Sequence, residues 1–286
     1  MSNKVLKPKK ASLYQFTQKY SNNIDNCIEF FKSMKWPEGF SCDRCGCHKY
    51  YLVKRVGKTK TSYVLECSSC HKQHSLLSGT IFQSCKLDLY KLLLGIFLFF
   101  NENKGISAVD LCSILDVNYK TALLLENKCR ILMSLSNSDK LLNSLFYEAD
   151  VFNIGAKSKN KAGRASEQQP ILGILSTDKE NNYPRFIKLR VITDYTGLSL
   201  KKNIEKCCVL SHDALLNTDG EKGFNTLNEE IQVKNEKISY EEKDHRLLWL
   251  NIIIGNIKNN ITGIYHKTTK REMSLFLNEQ EYRLNH

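Results

Sequence analysis

Two pairs of cysteines are the residues whose type and spacing most directly imply chemistry. Cys42 and Cys45 are separated by two residues, and so are Cys67 and Cys70. A pair at this spacing forms a turn that presents two sulfur atoms to one metal ion, and four thiolates complete a tetrahedral Zn²⁺ site. We therefore expect one structural zinc ion, held by these four cysteines.

The stretch between the pairs, 49–66, alternates like a β-hairpin, which together with the pairs predicts a zinc ribbon. Four more candidate ligands lie beside the pairs, namely Cys47, His48, His71 and His74. Each could replace a cysteine, but a structural site is complete with four ligands, so we interpret them as solvent-facing turn residues. The remaining six cysteines have no partner spacing and are interpreted as core thiols in a reducing compartment. They are Cys27, Cys85, Cys112, Cys129, Cys207 and Cys208.

Two aspartates further along the chain are candidates for a second kind of site. The apolar runs "SLFYEAD" and "CCVLSHDALLNTDG" reach Asp150 and Asp219 at or near their ends. An acidic side chain at the end of an interior strand is costly unless a cation or a donor receives it, and two such carboxylates can share one metal site. Aspartate is also common in turns, so either residue alone fits a turn as well.

The basic charge of the chain is concentrated near its start. The net charge is +12 over 286 residues, and residues 1–72 hold 14 Lys or Arg against 5 Asp or Glu, a net charge of +9. This asymmetry predicts a polyanionic partner, and beside a zinc ribbon it favours nucleic acid over a merely well-solvated basic surface. The hairpin residues that we expect to contact DNA are Lys54, Arg55, Lys58 and Lys60.

A second DNA-binding pattern follows the ribbon. Apolar residues recur with a helical period over 107–115 and again over 119–133, with a tight turn at 116–118 between them. This spacing is typical of a helix-turn-helix, in which the second helix enters the major groove, although plain helical hairpins share it. The residues nearest the DNA would be those that open the second helix, namely Tyr119, Lys120 and Thr121.

The remaining elements define the fold class. The apolar stretch 87–100 contains Asp88 and Lys91 and is shorter than the roughly 20 residues of a membrane span, so it predicts a buried helix. No apolar core of a secretory signal follows the first lysines. From about residue 141, short apolar runs separated by turns lead to a helical segment at 245–260, which predicts a mixed α/β domain. The expected fold is therefore multidomain α+β.

These motifs occur in an order that resembles one family. After the ribbon come "SLLSGTIFQSCKLDLYKLLLGIFLFF", "GISAVDLCSILDVNYKTA", "YEADVFNIGAK", "LNTDGEKGFNTL" and "GNIKNNITGIYHKTTKREMSLFLNEQEYRLNH". From about residue 25 onward, the chain resembles the zinc-ribbon insertion-sequence transposases related to the Merlin superfamily. We expect four parts, of which the first is a basic arm (1–24) that precedes the resemblance. The resemblance implies the other three: the zinc ribbon (25–80), a helix-turn-helix module (81–137) and a ribonuclease H-like catalytic domain of the DDE type (138–286).

The resemblance also implies the catalytic residues. Asp150 and Asp219 are the first and second carboxylates, and the two Mg²⁺ or Mn²⁺ ions of such sites would bind there. The third position is Asn251, where many relatives have an acidic residue, and Lys258 follows seven positions later on the same helix face. A neutral amide oxygen binds Mg²⁺ less strongly than a carboxylate does. Three nearby acidic residues could compensate for this, namely Glu241, Glu242 and Asp244.

The implied function is a DNA transposase. It would bind the terminal repeats of its own element, cut at the element ends and join the 3′-hydroxyl to target DNA, acting on double-stranded DNA as a homodimer or larger assembly. It would be cytoplasmic and nucleoid-associated in a bacterium, or nuclear in a eukaryote. A transposase-derived DNA-binding regulator without catalysis and a structure-selective nuclease of the same core fold are the alternatives. Keeping Asp150, Asp219 and Lys258 together favours the active enzyme.

Overall fold

The chain folds into two compact units. The computed structural model describes residues 11–57, 61–137, 141–155, 168–178, 183–235, 247–265 and 272–286. The N-terminal unit comprises residues 1–102 and 106–129, and the C-terminal unit comprises residues 103–105 and 130–286.

The N-terminal unit combines helices with a small sheet. The three strands are antiparallel and lie in the order β1-β2-β3. They span Tyr50–Val56 (β1), Thr61–Cys67 (β2) and Gln73–Ser75 (β3). The helices are α1 (Leu13–Tyr20), α2 (Ile24–Lys35), α3 (Leu89–Asn101), α4 (Ala108–Leu115) and α5 (Tyr119–Asn137), of which residues 119–129 belong to this unit.

The apolar stretch predicted as a buried helix forms α3. The Asp88 carboxylate caps this helix by accepting a hydrogen bond of 2.7 Å from the N–H of Lys91. Leu92, Leu93 and Phe99 on the same helix are buried, so its stability comes from packing inside the unit. None of the helices in the described part of the chain is long and apolar enough to cross a membrane.

The C-terminal unit is built on a five-stranded mixed sheet in the order β6-β5-β4-β7-β8. The first three strands are antiparallel neighbours, whereas β7 runs parallel to both β4 and β8. The strands span Phe146–Ile154 (β4), Gln169–Thr177 (β5), Pro184–Val191 (β6), Leu215–Thr218 (β7) and Gln232–Asn235 (β8). The helices are α6 (Gly197–Glu205), a 3₁₀ segment (Lys222–Leu227), α7 (Leu248–Asn260) with a π-helical turn (Ile261–Tyr265), and α8 (Met273–Asn285).

Helices cover both faces of this sheet. Side chains alternate between the two faces along a strand, so Tyr147 and Ala149 of β4 pack with α6 and the 3₁₀ segment on one face. Phe152 and Ile154 pack with α7 and α8 on the other. By the same alternation, residue 150 lies on the face that α7 covers. We call this face of the sheet the α7 face.

Buried ion pairs attach α8 to the sheet. The Glu281 carboxylate is 1% exposed and lies 3.0 Å from the Lys188 ammonium and 3.0 Å from the Arg190 guanidinium, both on β6. It also accepts a hydrogen bond of 3.1 Å from the N–H of Leu189. Buried charges need such partners, because removing one leaves the other uncompensated.

Most predicted elements are present, and the multidomain α+β class is confirmed. The structure contains several elements at the positions that the sequence pattern predicts, namely the ribbon hairpin, α3, the pair α4 and α5, and the strands β4 to β6. The expectation that Asp150 ends its strand is wrong, because β4 continues to Ile154. The sequence pattern did not predict the helices α6 and α8 or the strands β3 and β8. In α8, the buried residues include the polar Glu279, Gln280 and Glu281, so the helix lacks a regular spacing of apolar residues.

Candidate functional site

The four predicted zinc ligands meet at one point of the N-terminal unit. The Sγ atoms of Cys42, Cys45, Cys67 and Cys70 all lie within 4.8 Å of one another. Cys42 and Cys70 are 3.6 Å apart, and Cys45 and Cys67 are 3.5 Å apart. Sulfurs bound to one tetrahedral Zn²⁺ at about 2.3 Å are about 3.8 Å from each other. The cluster therefore fits a structural zinc ion without rearrangement.

Two similar backbone turns present these sulfurs. In the first turn, the Gly46 N–H donates to the Cys42 carbonyl at 2.9 Å, and in the second, the His71 N–H donates to the Cys67 carbonyl at 3.0 Å. Gly46 and His71 both adopt positive φ, at 71° and 57°. This left-handed conformation is easy for glycine and uncommon for other residues. Each Cys-x2-Cys motif thus ends on one left-handed residue that turns the chain away from the metal.

His74 was interpreted as solvent-facing, and this is wrong. Its side chain is 7% exposed and its ring packs 5.3 Å from the ring of Phe40. Its ring nitrogen, the Cys42 sulfur and an Asp43 carboxylate oxygen lie within 4.8 Å of one another. Because four sulfurs already complete the site, His74 is a neighbour of the zinc centre and contributes to the packing around it. His48 and His71 are exposed, as expected.

The basic residues of the ribbon hairpin are partly described. Lys54 and Arg55 are exposed on β1 and pair in register with Tyr63 and Ser62 of β2. Their side chains are therefore available to an anion. The other two predicted contacts, Lys58 and Lys60, lie outside the described residues.

The predicted turn between α4 and α5 is present. Asp116 adopts the left-handed conformation with φ of 50° and ends α4. The Asn118 side chain then accepts hydrogen bonds of 2.9 Å from both the N–H and the hydroxyl of Thr121, which caps the start of α5. Tyr119 and Lys120 are exposed at this end of the helix.

A basic groove lies beside the start of α5. It has a volume of about 280 Å³ and is lined by Ser84, Lys86, Lys120, Thr121 and Lys128, among others. Lys128 is held in place by donating to the carbonyl of Gln83 at 3.2 Å. Three ammonium groups and two hydroxyls around one groove form a surface suited to a phosphate backbone.

The two predicted catalytic aspartates are brought together in the C-terminal unit. The parallel pairing of β4 with β7 places Ala149 beside Thr218, so the next residues on the two strands are Asp150 and Asp219. Neighbouring strands are about 4.8 Å apart. Asp150 is partly buried within β4, whereas Asp219 is exposed just after β7 ends. The two residues are therefore neighbours across the β4–β7 pair, Asp150 within its strand and Asp219 just beyond the end of the other.

The loop that carries Asp219 is fastened by the end of β8. The Thr218 hydroxyl donates to the Asn235 side chain at 2.6 Å, and the Asn235 amide donates to the Glu221 carbonyl at 2.9 Å. Gly220 adopts φ of 68° in between, where a side chain would be strained. Asp219 follows the last paired residue of β7. Its backbone is nevertheless held by the contacts of Thr218 before it and Glu221 after it.

The charges around Asp150 act on its pKa in both directions. Burial raises the pKa of the Asp150 carboxyl, and the negative charges of Asp219 and Glu221 raise it further. The Val151 N–H, which donates to Asp150 at 2.7 Å, and the positive charge of Lys258 act in the opposite direction. A divalent cation between the carboxylates would remove this repulsion. The oxygen donors and their mutual repulsion therefore fit Mg²⁺ or Mn²⁺.

Helix α7 carries the other two predicted residues. Asn251 and Lys258 are both exposed and lie two turns apart, beside the buried stripe of Leu250, Ile254 and Ile257. The Lys258 ammonium is 5.6 Å from the centre of the Phe152 ring. Since Phe152 follows Asp150 by two positions on the same face of β4, Lys258 lies over the α7 face near the aspartates.

A glycine allows α7 to approach the sheet at this point. Gly173 of β5 is paired with Asp150 and has no side chain to present on the α7 face. A Cβ atom there would lie 3.3 Å from a methyl carbon of Leu250 and 3.3 Å from the Phe152 ring. The close fit places the start of α7 beside the strand that carries Asp150.

Two acidic residues at the site were not anticipated. Glu148 is completely buried on β4, and burial raises its pKa to about 7. Glu221 is close enough to influence the charge of Asp150. The sequence signal for Glu148 was its position two residues before Asp150, which puts it on the same strand face. Glu241, Glu242 and Asp244, considered as substitutes for Asn251, lie outside the described residues.

Family comparisons agree with this arrangement. Residues 146–285 match the family model described as an ISXO2-like transposase domain. Residues 23–73 match the one described as a transposase zinc-ribbon domain. The chain belongs to the zinc-ribbon insertion-sequence transposases. The two matched segments of this transposase-family chain contain all four zinc cysteines and both catalytic aspartate candidates.

Comparison with individual proteins adds little to this assignment. No curated protein matches this transposase-family sequence. One similar solved structure is the cryoEM structure of the simian T-cell lymphotropic virus intasome in complex with PP2A regulatory subunit B56 gamma. The match has 13% sequence identity and a TM-score of 0.28, and it covers 67% of this chain and 65% of that chain. The matched region therefore spans slightly less than two thirds of the length of that chain.

Proposed function

We propose that this protein is an active DNA transposase of the DDE type with asparagine at the third position. It binds the terminal repeats of its own element, cleaves at the element ends and joins the freed 3′-hydroxyl to target DNA. The observation that carries this proposal is the adjacency of Asp150 on β4 and Asp219 directly after β7, with Lys258 over the face that Asp150 shares with Phe152. The C-terminal unit then corresponds to a ribonuclease H-like catalytic domain.

The residues of the site divide the chemistry between them. Asp150 and Asp219 would hold the metal ions through their carboxylate oxygens, and Asn251 would add a neutral amide oxygen from α7. When bound, such a metal pair activates a water or a 3′-hydroxyl for in-line attack on phosphorus and stabilises the leaving oxygen. Lys258, an exposed lysine, contacts the scissile or an adjacent phosphate as a cationic group.

The N-terminal unit supplies the DNA-binding surfaces. Lys54 and Arg55 of the ribbon hairpin contact the phosphate backbone, and the start of α5 enters the major groove. Lys86 and Lys128 of the basic groove flank this end of α5, so they add phosphate contacts. Because two element ends must be joined in concert, we further propose that the protein acts as a dimer or larger assembly on DNA.

One observation favours a second candidate function. Asn251 replaces the third carboxylate and therefore weakens metal binding. A DNA-binding regulator that descended from a transposase would tolerate this change. Such a regulator would bind the same DNA without cleaving it. Against it stands the cost of keeping a partly buried Asp150 close to Asp219 and Glu221, since a chain released from catalysis gains by losing them.

The test is cleavage and strand joining on labelled DNA that carries the element's terminal repeat, in Mg²⁺ or Mn²⁺. The unaltered protein is compared with Asp150→Ala, Asn251→Ala and Asp213→Ala, the last being an exposed aspartate of the same unit. Loss of nicking and joining in the first two variants, with activity kept in the third, supports the proposal. Tight binding of the repeat without cleavage in either metal would favour the regulator.

A further inference from the structure

Glu148 is a buried acid next to the candidate catalytic site. None of its side chain is exposed, and it precedes Asp150 by two positions on β4, so the two side chains share the α7 face. It is paired with Asn217 of β7, which precedes Asp219 by two positions. Glu148 and Asn217 therefore form the row of the sheet directly beneath the two aspartates.

The Glu148 carboxylate binds the start of α7. Its Oε2 atom accepts a hydrogen bond of 2.9 Å from the N–H of Leu250. Leu250 is the third residue of α7, and the first N–H groups of a helix have no partner within the helix. The N-cap position is Leu247, whose apolar side chain cannot accept from them. A carboxylate at this end also interacts favourably with the helix dipole.

This contact ties the first turn of α7 to β4. Asn251 follows Leu250 directly, and Lys258 is two turns further along the same helix. An acceptor in β4 that binds the first turn of α7 fixes the helix along the strand that also carries Asp150. A shift of the helix would move Asn251 and Lys258 together relative to the aspartates.

We propose that Glu148 is a positioning residue for the transposition chemistry. It docks the first turn of α7 so that Asn251 and Lys258 face Asp150 and Asp219. The inference rests on the proposed function of that site and adds to it a residue that touches neither metal nor DNA. A displacement of about 1 Å in such a site lowers the rate by about 100-fold.

Two substitutions of Glu148 distinguish the length of its side chain from its negative charge. Glu148→Gln keeps an oxygen at the same distance, so it retains the hydrogen bond from Leu250. Glu148→Asp keeps the carboxylate but withdraws it by about 1.5 Å. We expect kcat for DNA cleavage to stay within about threefold in the glutamine variant and to fall by about 100-fold in the aspartate variant. KM for DNA should stay unchanged in both, because the substituted residue does not contact it.

Glu281→Asp is the matched control, since it shortens another buried carboxylate of the same unit. It should lower the melting temperature but leave kcat unchanged at temperatures where circular dichroism shows a folded protein. A double-mutant cycle of Glu148→Asp with Lys258→Ala tests whether Glu148 affects kcat through the position of α7. If Glu148 acts through α7, the double variant loses less activity than the product of the two single losses, whereas independent effects multiply.

The two proposals fail differently. If the unaltered protein does not cleave DNA in either metal, the proposed function is overturned. If it cleaves and Glu148→Asp stays within threefold of it, or loses as much kcat as Glu281→Asp does, the positioning role is overturned while the function stands. If the losses of kcat in Glu148→Asp and Lys258→Ala multiply in the double variant, the positioning role is also overturned.

Discussion

At the scale of single residues, Asp150 shows a conflict between function and stability. Burial and the charges of Asp219 and Glu221 raise its pKa, so the ionised carboxylate is less stable in the folded chain than in water. Asp150→Asn removes that charge at nearly constant volume. We expect it to abolish metal-dependent cleavage and to raise the free energy of unfolding by about 1 kcal/mol.

The measurement for this prediction is thermal unfolding without divalent metal, beside the cleavage assay. An increase of about 2–4 °C in Tm is expected for a unit of this size. Asp213→Asn, at an exposed position, should change neither stability nor cleavage. A lower Tm for Asp150→Asn would show that the carboxylate stabilises the apo fold, contrary to this argument.

The zinc cysteines give a second prediction at the residue scale. Cys67→Ser removes one sulfur from a complete tetrahedron and should abolish stoichiometric zinc binding. Structural Zn²⁺ contributes about 10–16 kcal/mol to folding in zinc-finger peptides, so the ribbon should unfold. Cys47→Ser is the matched control, because Cys47 is adjacent but outside the four-sulfur cluster. Elemental analysis should find one zinc per chain in the control, and finding none there would make Cys47 a ligand.

At the scale of elements, α5 is expected to read DNA from its first turn. Lys120 is exposed there and lines the basic groove. Lys120→Ala should weaken binding to all DNA sequences and reduce the slope of log Kd against log salt by about 1, as expected for one lost phosphate contact. Lys206→Ala is the control, since Lys206 caps the C-terminal end of α6, which lies on the opposite sheet face from Asp150. Equal effects of the two substitutions would exclude a specific role for α5.

The attachment of α8 provides another prediction at this scale. Glu281→Gln removes the charge that compensates buried Lys188, and breaking a buried pair costs about 3–5 kcal/mol. Asp178→Asn breaks the more exposed pair with Arg185 and should cost about 1 kcal/mol or less. Urea unfolding of the two variants measures this difference. Similar costs would mean that the Glu281 network contributes little to the docking of α8.

Elements with a regular pattern were predictable, whereas those defined by tertiary contacts were not. The hairpin, α3 and α4 each had a clear period or cap in the sequence. Helix α8 instead buries Glu279, Gln280 and Glu281, and much of their charge is compensated by partners distant in sequence, such as Arg130 and Lys188. The predicted strand β4 is too short for a similar reason. In a sequence pattern, an aspartate such as Asp150 indicates the end of a strand, whereas β4 continues past it.

The candidate site shows the same limit. Asp150, Asp219, Asn251 and Lys258 came from motif order, which needs no knowledge of contacts. Glu148 could be named only once its hydrogen bond to Leu250 was seen, because the two residues are about a hundred positions apart in the chain. Sequence patterns thus identify residues that do chemistry more readily than residues that position them.

At the scale of the whole molecule, charge asymmetry predicts how DNA binding responds to salt. Three quarters of the net positive charge lies in residues 1–72, so phosphate contacts should dominate affinity. If 6–10 phosphates are neutralised, affinity falls by about 10³–10⁵ between 50 and 200 mM salt. Fluorescence anisotropy with labelled duplex DNA measures this slope.

The same titration separates binding from catalysis. Asp150→Asn should show the slope of the unaltered protein, because an aspartate has no positive charge with which to neutralise a phosphate. Cys67→Ser should show a smaller slope, since unfolding the ribbon removes Lys54 and Arg55 from an ordered surface. An unchanged slope in the cysteine variant would place the phosphate contacts outside the ribbon. In that case the basic groove beside α5, with Lys86, Lys120 and Lys128, would have to account for the salt dependence.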